Sequence, residues 1–157
     1  QLTVLSERDL PKDCPEYQSP NIFFHGLKSS RPLVSKLRVF RKILTSVILN
    51  RPSHILVGHV SWSFPVFILS KIFNIPYSVS IHGIEVYQNI SWFGKTGLNQ
   101  AHHIWVNGPF TQKKCIQKNK TQEKKFFIFP PACDESFFVI STKKEELKLK
   151  QQFHKDN

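Results

Sequence analysis

The sequence predicts an α/β fold: a Rossmann-like parallel sheet with helices on both faces. Short apolar segments rich in β-branched and aromatic residues recur along the chain, and segments with helical apolar spacing alternate with them. Hydrophobic residues make up 40% and charged residues 21% of the 157 residues, which is the composition of a globular domain with its own core. Alternating strands and helices build βαβ units, whose parallel sheet is covered on both sides.

The first third of the chain predicts two strands, a helix and a third strand. Residues 2–5 and 21–26 form the two strands, with a proline-rich loop between them. Residues 33–49 have helical spacing, and Pro52 ends that helix because proline cannot continue it. The apolar run at residues 54–59 is the third strand.

The helix predicted at residues 33–49 is amphipathic. We expect its apolar face to pack on the core and its basic face to lie in solvent. The apolar face carries Leu33, Leu37, Phe40, Leu44 and Val47, and the basic face carries Lys36, Arg38, Arg41 and Lys42.

The rest of the chain continues the alternation. Three further strands are predicted at residues 77–81, 103–107 and 126–131. A helix is predicted at residues 64–75, a short helix or an ordered loop at residues 88–100, and another helix from Pro109 onward. Ser141 or Thr142, followed by Glu145, predicts the start of a final helix in the tail.

Polar residues follow three of the predicted strands directly. His59, His82 and Asn107 stand where these strands end, and Gly83 and Glu85 follow His82 closely. Because parallel α/β sheets bind ligands at the carboxyl ends of their strands, we expect His59, His82 and Asn107 around a shared hollow. The alternative is that each is an ordinary hydrogen-bonded loop residue.

Other kinds of site have less support. Rim histidines are able to bind zinc, but no HxH, HExxH or closely spaced Cys/His pattern accompanies them, so we expect no metal and no cofactor. The sequence also lacks the GxSxG, GxGxxG and P-loop patterns. Three widely spaced cysteines argue against a disulfide framework and fit a cytoplasmic protein.

The chain is strongly basic. Lysines and arginines number 22 against 11 acidic residues, for a formal net charge of +11, which favours anionic partners. The basic tracts at residues 36–42 and 113–125 are either solvated surfaces or sites of attraction to an anionic membrane. Aromatic residues are not interleaved with these lysines for base stacking, so we expect no nucleic-acid partner.

Four stretches resemble segments of a known family. "HILVGHVSWSFPVFILSKIFNIPYSV" is similar to a strand, His-containing loop and helix, and "SIHGIEVYQN" to the signature H-G-x-D/E-V-Y. "AHHIWVNGPFTQK" and "FIFPPACDESFF" are similar to two later segments. In this order the stretches resemble the N-terminal, acceptor-side half of a glycosyltransferase of family four, which has the GT-B fold. The sequence departs from the family pattern at His102, His103, Gly108, Ala132 and Cys133.

The resemblance implies retaining transfer of a hexosyl group from a nucleotide-sugar to a glycan or lipid-linked acceptor. It implies a catalytic position for His82, near the transferred sugar, and substrate binding by Gly83, Glu85, His59 and Asn107. Glu85 has the alternative role of capping the segment that follows it. The resemblance also implies a part in polysaccharide, lipopolysaccharide or glycolipid assembly, in the cytoplasm, with peripheral contact at the inner face of the membrane.

The resemblance covers only part of such an enzyme. Residues 1–140 match an incomplete N-terminal domain, and residues 141–157 are expected to lead to an absent nucleotide-binding domain. A strand that normally precedes residues 2–5 would lie centrally in the sheet, so its absence leaves strand edges unpaired. We therefore expect the chain alone to be inactive and marginally stable. The alternatives are a non-enzymatic remnant, or a module that binds an anionic membrane or nucleic acid.

Overall fold

The computed structural model of the protein describes residues 1–10, 12 and 20–130. The strands are β1 (Leu2–Ser6), β2 (Ile22–Gly26), β3 (Ile55–Val57), β4 (Tyr77–Ile81), β5 (His103–Val106) and β6 (Phe126–Ile128). The helices are α1 (Pro32–Asn50), α2 (Ser63–Phe73), α3 (Ile84–Tyr87), α4 (Trp92–Gln100) and α5 (Pro109–Asn119), with 3₁₀ turns at Val60–Trp62 and Glu123–Lys125. The predicted α/β class, with parallel sheets flanked by helices, is confirmed.

The strands form two parallel sheets. β1 pairs with β2, and β3 to β6 pair in chain order. Among the described strands, β1, β2, β3 and β6 each have one unpaired edge. The indole N–H of Trp62, just after β3, donates a 2.9 Å hydrogen bond to a carboxylate oxygen of Glu7, just after β1. This bond brings the carboxyl ends of the two sheets together.

The core is built around β4 and β5. Val79, Ile81, Ile104 and Val106 are at most 1% exposed, and because they alternate along paired strands they cover one face of the sheet. The hydroxyl of buried Tyr77 donates a hydrogen bond to the carbonyl of Gly97 in α4, and burial raises the pKa of Tyr77. The buried side chains of Tyr77, Val79 and Ile81 in β4 therefore anchor both the sheet and the helix above it.

The predicted core face of α1 is wrong except at Val47, which is buried as predicted. The helix buries Ser35, Val39 and Val47, whereas Leu33 and Leu37 are 80% and 68% exposed. The inward residues recur every four positions as Ser35, Val39, the partly buried Ile43 and Val47, and this largely β-branched stripe is the one that packs inward. The helix thus has two apolar stripes, and periodicity alone could not choose between them.

Several boundaries also differ from the prediction. β3 spans three residues and β6 three, both shorter than predicted, because pairing stops where the chain turns into a 3₁₀ turn or meets Pro130. The four-residue helix α3 was not predicted. The predicted tail helix, Cys14 and Cys133 lie outside the described residues. Cys115 is a buried free thiol whose pKa is raised by burial.

His25 in β2 and His54 just before β3 predict how stability depends on pH. The pKa values of His25 and His54 are lowered, first by burial, then by Lys42 for His25 and by His102 and His103 for His54. Their neutral forms are favoured by folding, so the unfolded chain binds more protons. The contribution of these neutral histidines to the free energy of unfolding is fully present above the ordinary histidine pKa of 6.5. It is lost as the pH falls through the lowered pKa values of His25 and His54.

We therefore expect a lower thermal unfolding midpoint at pH about 5.5 than at pH about 7.5. The matched variant carries His25→Gln and His54→Gln, and its midpoint should change less between the two pH values. If the unfolding midpoint of the variant changes as much between the two pH values as that of the parent protein, these two histidines are not responsible for the pH dependence.

Candidate functional site

The strand register brings three predicted site residues to one edge of the larger sheet. Val57 of β3 pairs with Val79 of β4, and Ile81 of β4 pairs with Val106 of β5. His59, His82 and Asn107 therefore follow the carboxyl ends of three adjacent parallel strands. Since neighbouring strands lie about 4.8 Å apart, the three residues share a rim roughly 10 Å wide.

A hydrogen-bond chain locks the ends of β4 and β5 together. The side-chain amide of Asn107 donates to the carbonyl oxygen of His82 at 2.8 Å, and its own oxygen accepts from the Thr111 hydroxyl at 2.6 Å. The Tyr87 hydroxyl lies 3.4 Å from the Thr111 hydroxyl. Asn107 thus positions the backbone of His82, while the His82 ring is left exposed at the rim.

Glu85 holds the turn after β4. Its carboxylate accepts the backbone N–H of His82 at 2.8 Å, as a side chain does when it caps a helix start. The capping role that the sequence left open for Glu85 is therefore present in the structure. The negative charge of Glu85 also lies at the start of α3, where a helix favours an anion.

Gly83 is required by backbone shape. Its φ of 133° lies in a region that side chains with a Cβ rarely adopt, and a Cβ built there would be 2.6 Å from the Tyr87 hydroxyl. The space beside Gly83 is filled by Tyr87, so the glycine lets the protein's own tyrosine approach the turn. Substrate binding by Gly83 stays a prediction.

The substitution Gly83→Ala should destabilise the protein by about 1–3 kcal/mol, because the strained φ is forced on a residue with a Cβ. Gly58→Ala is the matched control, since Gly58 has open space on its Cβ side, and its effect should stay within about 0.5 kcal/mol. Urea unfolding of both variants measures the difference. Equal effects would mean that the turn at Gly83 adopts another conformation in solution.

His59 has a defined tautomer. Its Nδ1 accepts the backbone N–H of Ser61 at 3.1 Å and lies 2.9 Å from the Ser61 hydroxyl. A neutral imidazole whose Nδ1 accepts must carry its proton on Nε2. The exposed ring of His59 therefore offers an N–H donor at the rim.

An apolar cavity of about 390 Å³ lies beside the turn that His59 begins. It is lined by Val60, Ser61, Phe64, Pro65, Ile90, Ser91, Phe93 and Gly94. The rings of Phe64 and Phe93 meet edge to face at 4.9 Å, and Trp92, which is 68% exposed, extends this aromatic wall. A cavity of this size with hydroxyls among apolar walls suits a small ligand that is partly apolar.

Sequence reasoning missed several residues of this region. Tyr87, the last residue of "HGIEVY", received no role, although it contacts Gly83 and Thr111. Thr111 itself is 2% exposed and had no distinguishing pattern beyond its place four residues after Asn107. The aromatic cavity depends on two helices meeting in space, and no sequence spacing reports that contact.

The other histidines that the structure describes lie elsewhere. His54, His102 and His103 are at the amino ends of β3 and β5, opposite the rim, and His54 Nε2 lies 2.9 Å from the Ser78 hydroxyl. His25 is in β2, in the smaller sheet. Among residues 1–10, 12 and 20–130, no group of three or more His, Cys, Asp or Glu side chains is arranged to hold a metal ion.

No protein-family model matches the sequence, and no curated protein matches it. Solved structures do match. HepE of Anabaena in complex with UDP-glucose aligns with a TM-score of 0.65 at 16% identity, covering 97% of this chain and 42% of HepE. HepE with UDP gives 0.60 at 16% identity over 84% and 36%, and HepE with UDP and glucose gives 0.63 at 14% identity over 97% and 50%.

These matches establish a shared fold. At this identity the likeness is one of architecture, a Rossmann-like arrangement of parallel strands and helices. The chain spans between 36% and 50% of the length of the HepE chains that it matches. The matched HepE structures contain UDP, UDP-glucose, or UDP and glucose.

Proposed function

We propose that this chain is the acceptor-side part of a glycosyltransferase that uses a nucleotide-sugar donor. The observation that carries the proposal is the meeting of His59, His82 and Asn107 at the carboxyl edge of three adjacent parallel strands. The apolar cavity beside His59 and the fold shared with HepE structures that hold UDP and glucose support it.

The proposed reaction moves a hexosyl group. The bond from the anomeric carbon to the nucleotide oxygen breaks, and a bond to an acceptor hydroxyl oxygen forms. The nucleoside diphosphate leaves with the electron pair of the broken bond and takes up the proton that the acceptor hydroxyl loses. The His82 imidazole hydrogen-bonds a hydroxyl of the transferred sugar and stabilises charge that develops at the anomeric carbon. The Nε2–H of His59 donates to a sugar hydroxyl, and Asn107 and Glu85 position His82.

Finer parts of the proposal rest on the four sequence stretches. Their resemblance supports glycosyltransferase family four, with the GT-B fold and retention of anomeric configuration. The acceptor is a glycan or a lipid-linked sugar of polysaccharide, lipopolysaccharide or glycolipid assembly. The aromatic cavity supports an acceptor with an apolar portion, and no cofactor is required.

The nucleotide is held mainly outside this chain. Residues 1–140 supply the acceptor-side domain, and residues 141–157 lead toward a nucleotide-binding domain. The coverage of 36–50% of the HepE chains supports this division. We expect the 157 residues by themselves to transfer no sugar. A cytoplasmic site, at the inner face of the membrane, is proposed from the positive charge; within the described residues no helix has the length and apolar character to cross a bilayer.

The test is a transfer assay with the product of the complete reading frame that encodes this chain. UDP-glucose and other labelled nucleotide-hexoses are offered together with glycan and lipid-linked acceptors, and the labelled product and released UDP are measured. We expect acceptor-dependent release of UDP and a labelled glycoside. If the protein is folded and no pair of donor and acceptor reacts, the proposal is contradicted.

A further inference from the structure

The exposed face of α1 carries large apolar side chains. Leu33, Leu37, Phe40 and Ile48 are 80%, 68%, 37% and 50% exposed. At 100° per residue these four side chains fall within roughly 80° of the helix circumference, so they form one stripe. We name this set the α1 stripe; within the part of the chain that the structure describes, it is not covered by another element.

Positive charge borders the α1 stripe. Helix α1 carries four basic residues and no acidic one, and exposed arginines stand just before its start and just after its end. On the helix circumference Lys36 lies on one side of the stripe and Arg41 on the other. The basic residues of the helix and its ends are Arg31, Lys36, Arg38, Arg41, Lys42 and Arg51.

We propose that the α1 stripe docks on an anionic lipid surface. A helix with an apolar stripe and lysine or arginine beside it lies in the plane of a membrane interface, with the apolar side chains in the acyl boundary and the cations against lipid phosphates. The 19 residues of α1 give a contact line of about 28 Å. This inference deepens the membrane site of the proposed function by naming the surface that makes the contact. Its test measures vesicle binding without sugar transfer, so the two proposals can fail separately.

Charge complementarity favours lipid over other partners. A second copy of this chain would bring the same cations against one another, and each copy has a formal net charge of +11. A nucleic acid would match the cations, but the stripe has a single aromatic residue, Phe40, which is 37% exposed, and its most exposed members are leucines, on which bases do not stack. An anionic bilayer offers acyl chains to the leucines and phosphate groups to the cations.

The first experiment is vesicle sedimentation with the 157-residue chain. Vesicles of phosphatidylcholine mixed with phosphatidylglycerol are compared with vesicles of phosphatidylcholine alone. We expect binding to the mixed vesicles, weakened by salt, and little binding to the neutral ones. Equal binding to both would overturn the proposal.

Two pairs of variants locate the surface. Lys36→Gln with Arg41→Gln should weaken binding roughly thirtyfold, whereas Lys113→Gln with Lys118→Gln, which removes the same charge from α5, should have a much smaller effect. Leu33→Gln with Leu37→Gln should weaken binding about tenfold or more, whereas Ile68→Gln with Ile72→Gln on α2 should not. All eight side chains are exposed, so the fold should survive, and circular dichroism checks it.

The remaining outcomes oppose the proposal. Equal losses in the α1 and α5 charge variants would mean that net charge alone drives binding. A dimer in analytical ultracentrifugation that Leu33→Gln with Leu37→Gln dissociates would assign the α1 stripe to self-association. Full binding by the leucine variant would remove the stripe from the contact altogether.

Discussion

Replacing His82 by alanine should lower the rate of sugar transfer by a factor of about 10² or more, because it removes the hydrogen-bonding ring from the reacting sugar. The fold should remain, since the bonds that position the turn involve the backbone N–H and C=O of His82, which alanine keeps. The rate of transfer in the assay described above, at saturating donor and acceptor, measures the loss.

His102→Ala is the matched control for that variant. His102 is also exposed but lies at the amino edge of the sheet, so its loss should leave transfer unchanged. The transfer rate of Asn107→Ala should lie between the rates of these two variants, because the ring of His82 stays while the hydrogen bond that positions it is lost. An active His82→Ala protein with an inactive His102→Ala protein would move the site to the opposite edge.

The substitution Gly97→Ala should destabilise the protein by about 2–3 kcal/mol, since overpacking against backbone cannot be relieved by a side-chain rotation. A Cβ at Gly97 would lie 2.5 Å from the backbone nitrogen of Phe64 and from the carbonyl carbon and hydroxyl of Ser63. Helices α2 and α4 touch at this glycine, so an added methyl group must push them apart.

Gly94→Ala, three residues earlier in the same helix, is the control. Its Cβ would make only ordinary contacts of 3.6 Å or more, and alanine favours a helix over glycine by about 0.5–1 kcal/mol. We therefore expect a lower midpoint of urea unfolding for Gly97→Ala and an equal or higher one for Gly94→Ala. Two equally stable variants would contradict the close packing of α2 on α4.

The sequence predicts well those parts of the fold whose residue pattern fits only one kind of element and one buried face. β4 alternates buried Tyr77, Val79 and Ile81 with serines, and its prediction at residues 77–81 matches the structure residue for residue. Helix α1 was found in the right place, but its orientation about its own axis was wrong, because Leu33 and Val39 belong to competing apolar stripes. Helix α3 spans only four residues and is held by Glu85, so it is too short to show a helical periodicity in the sequence.

The candidate site divides in the same way. The rule that ligands bind at the carboxyl ends of parallel strands brought His59, His82 and Asn107 to one rim, as the strand register confirms. The bond from Asn107 to His82 spans 25 residues of sequence, and such a contact exists only once β4 and β5 are paired. Their part in catalysis stays a prediction.

The most direct measurement is an amide chemical-shift titration of the ¹⁵N-labelled 157-residue chain with the acceptor that supports turnover. The acceptor should shift resonances of residues 58–61, 81–85 and 107–111, which form the carboxyl edge of β3, β4 and β5, and leave His54, His102 and His103 unmoved. Shifts confined to the amino edge, or no shift in a folded chain, would contradict an acceptor site at these strand ends.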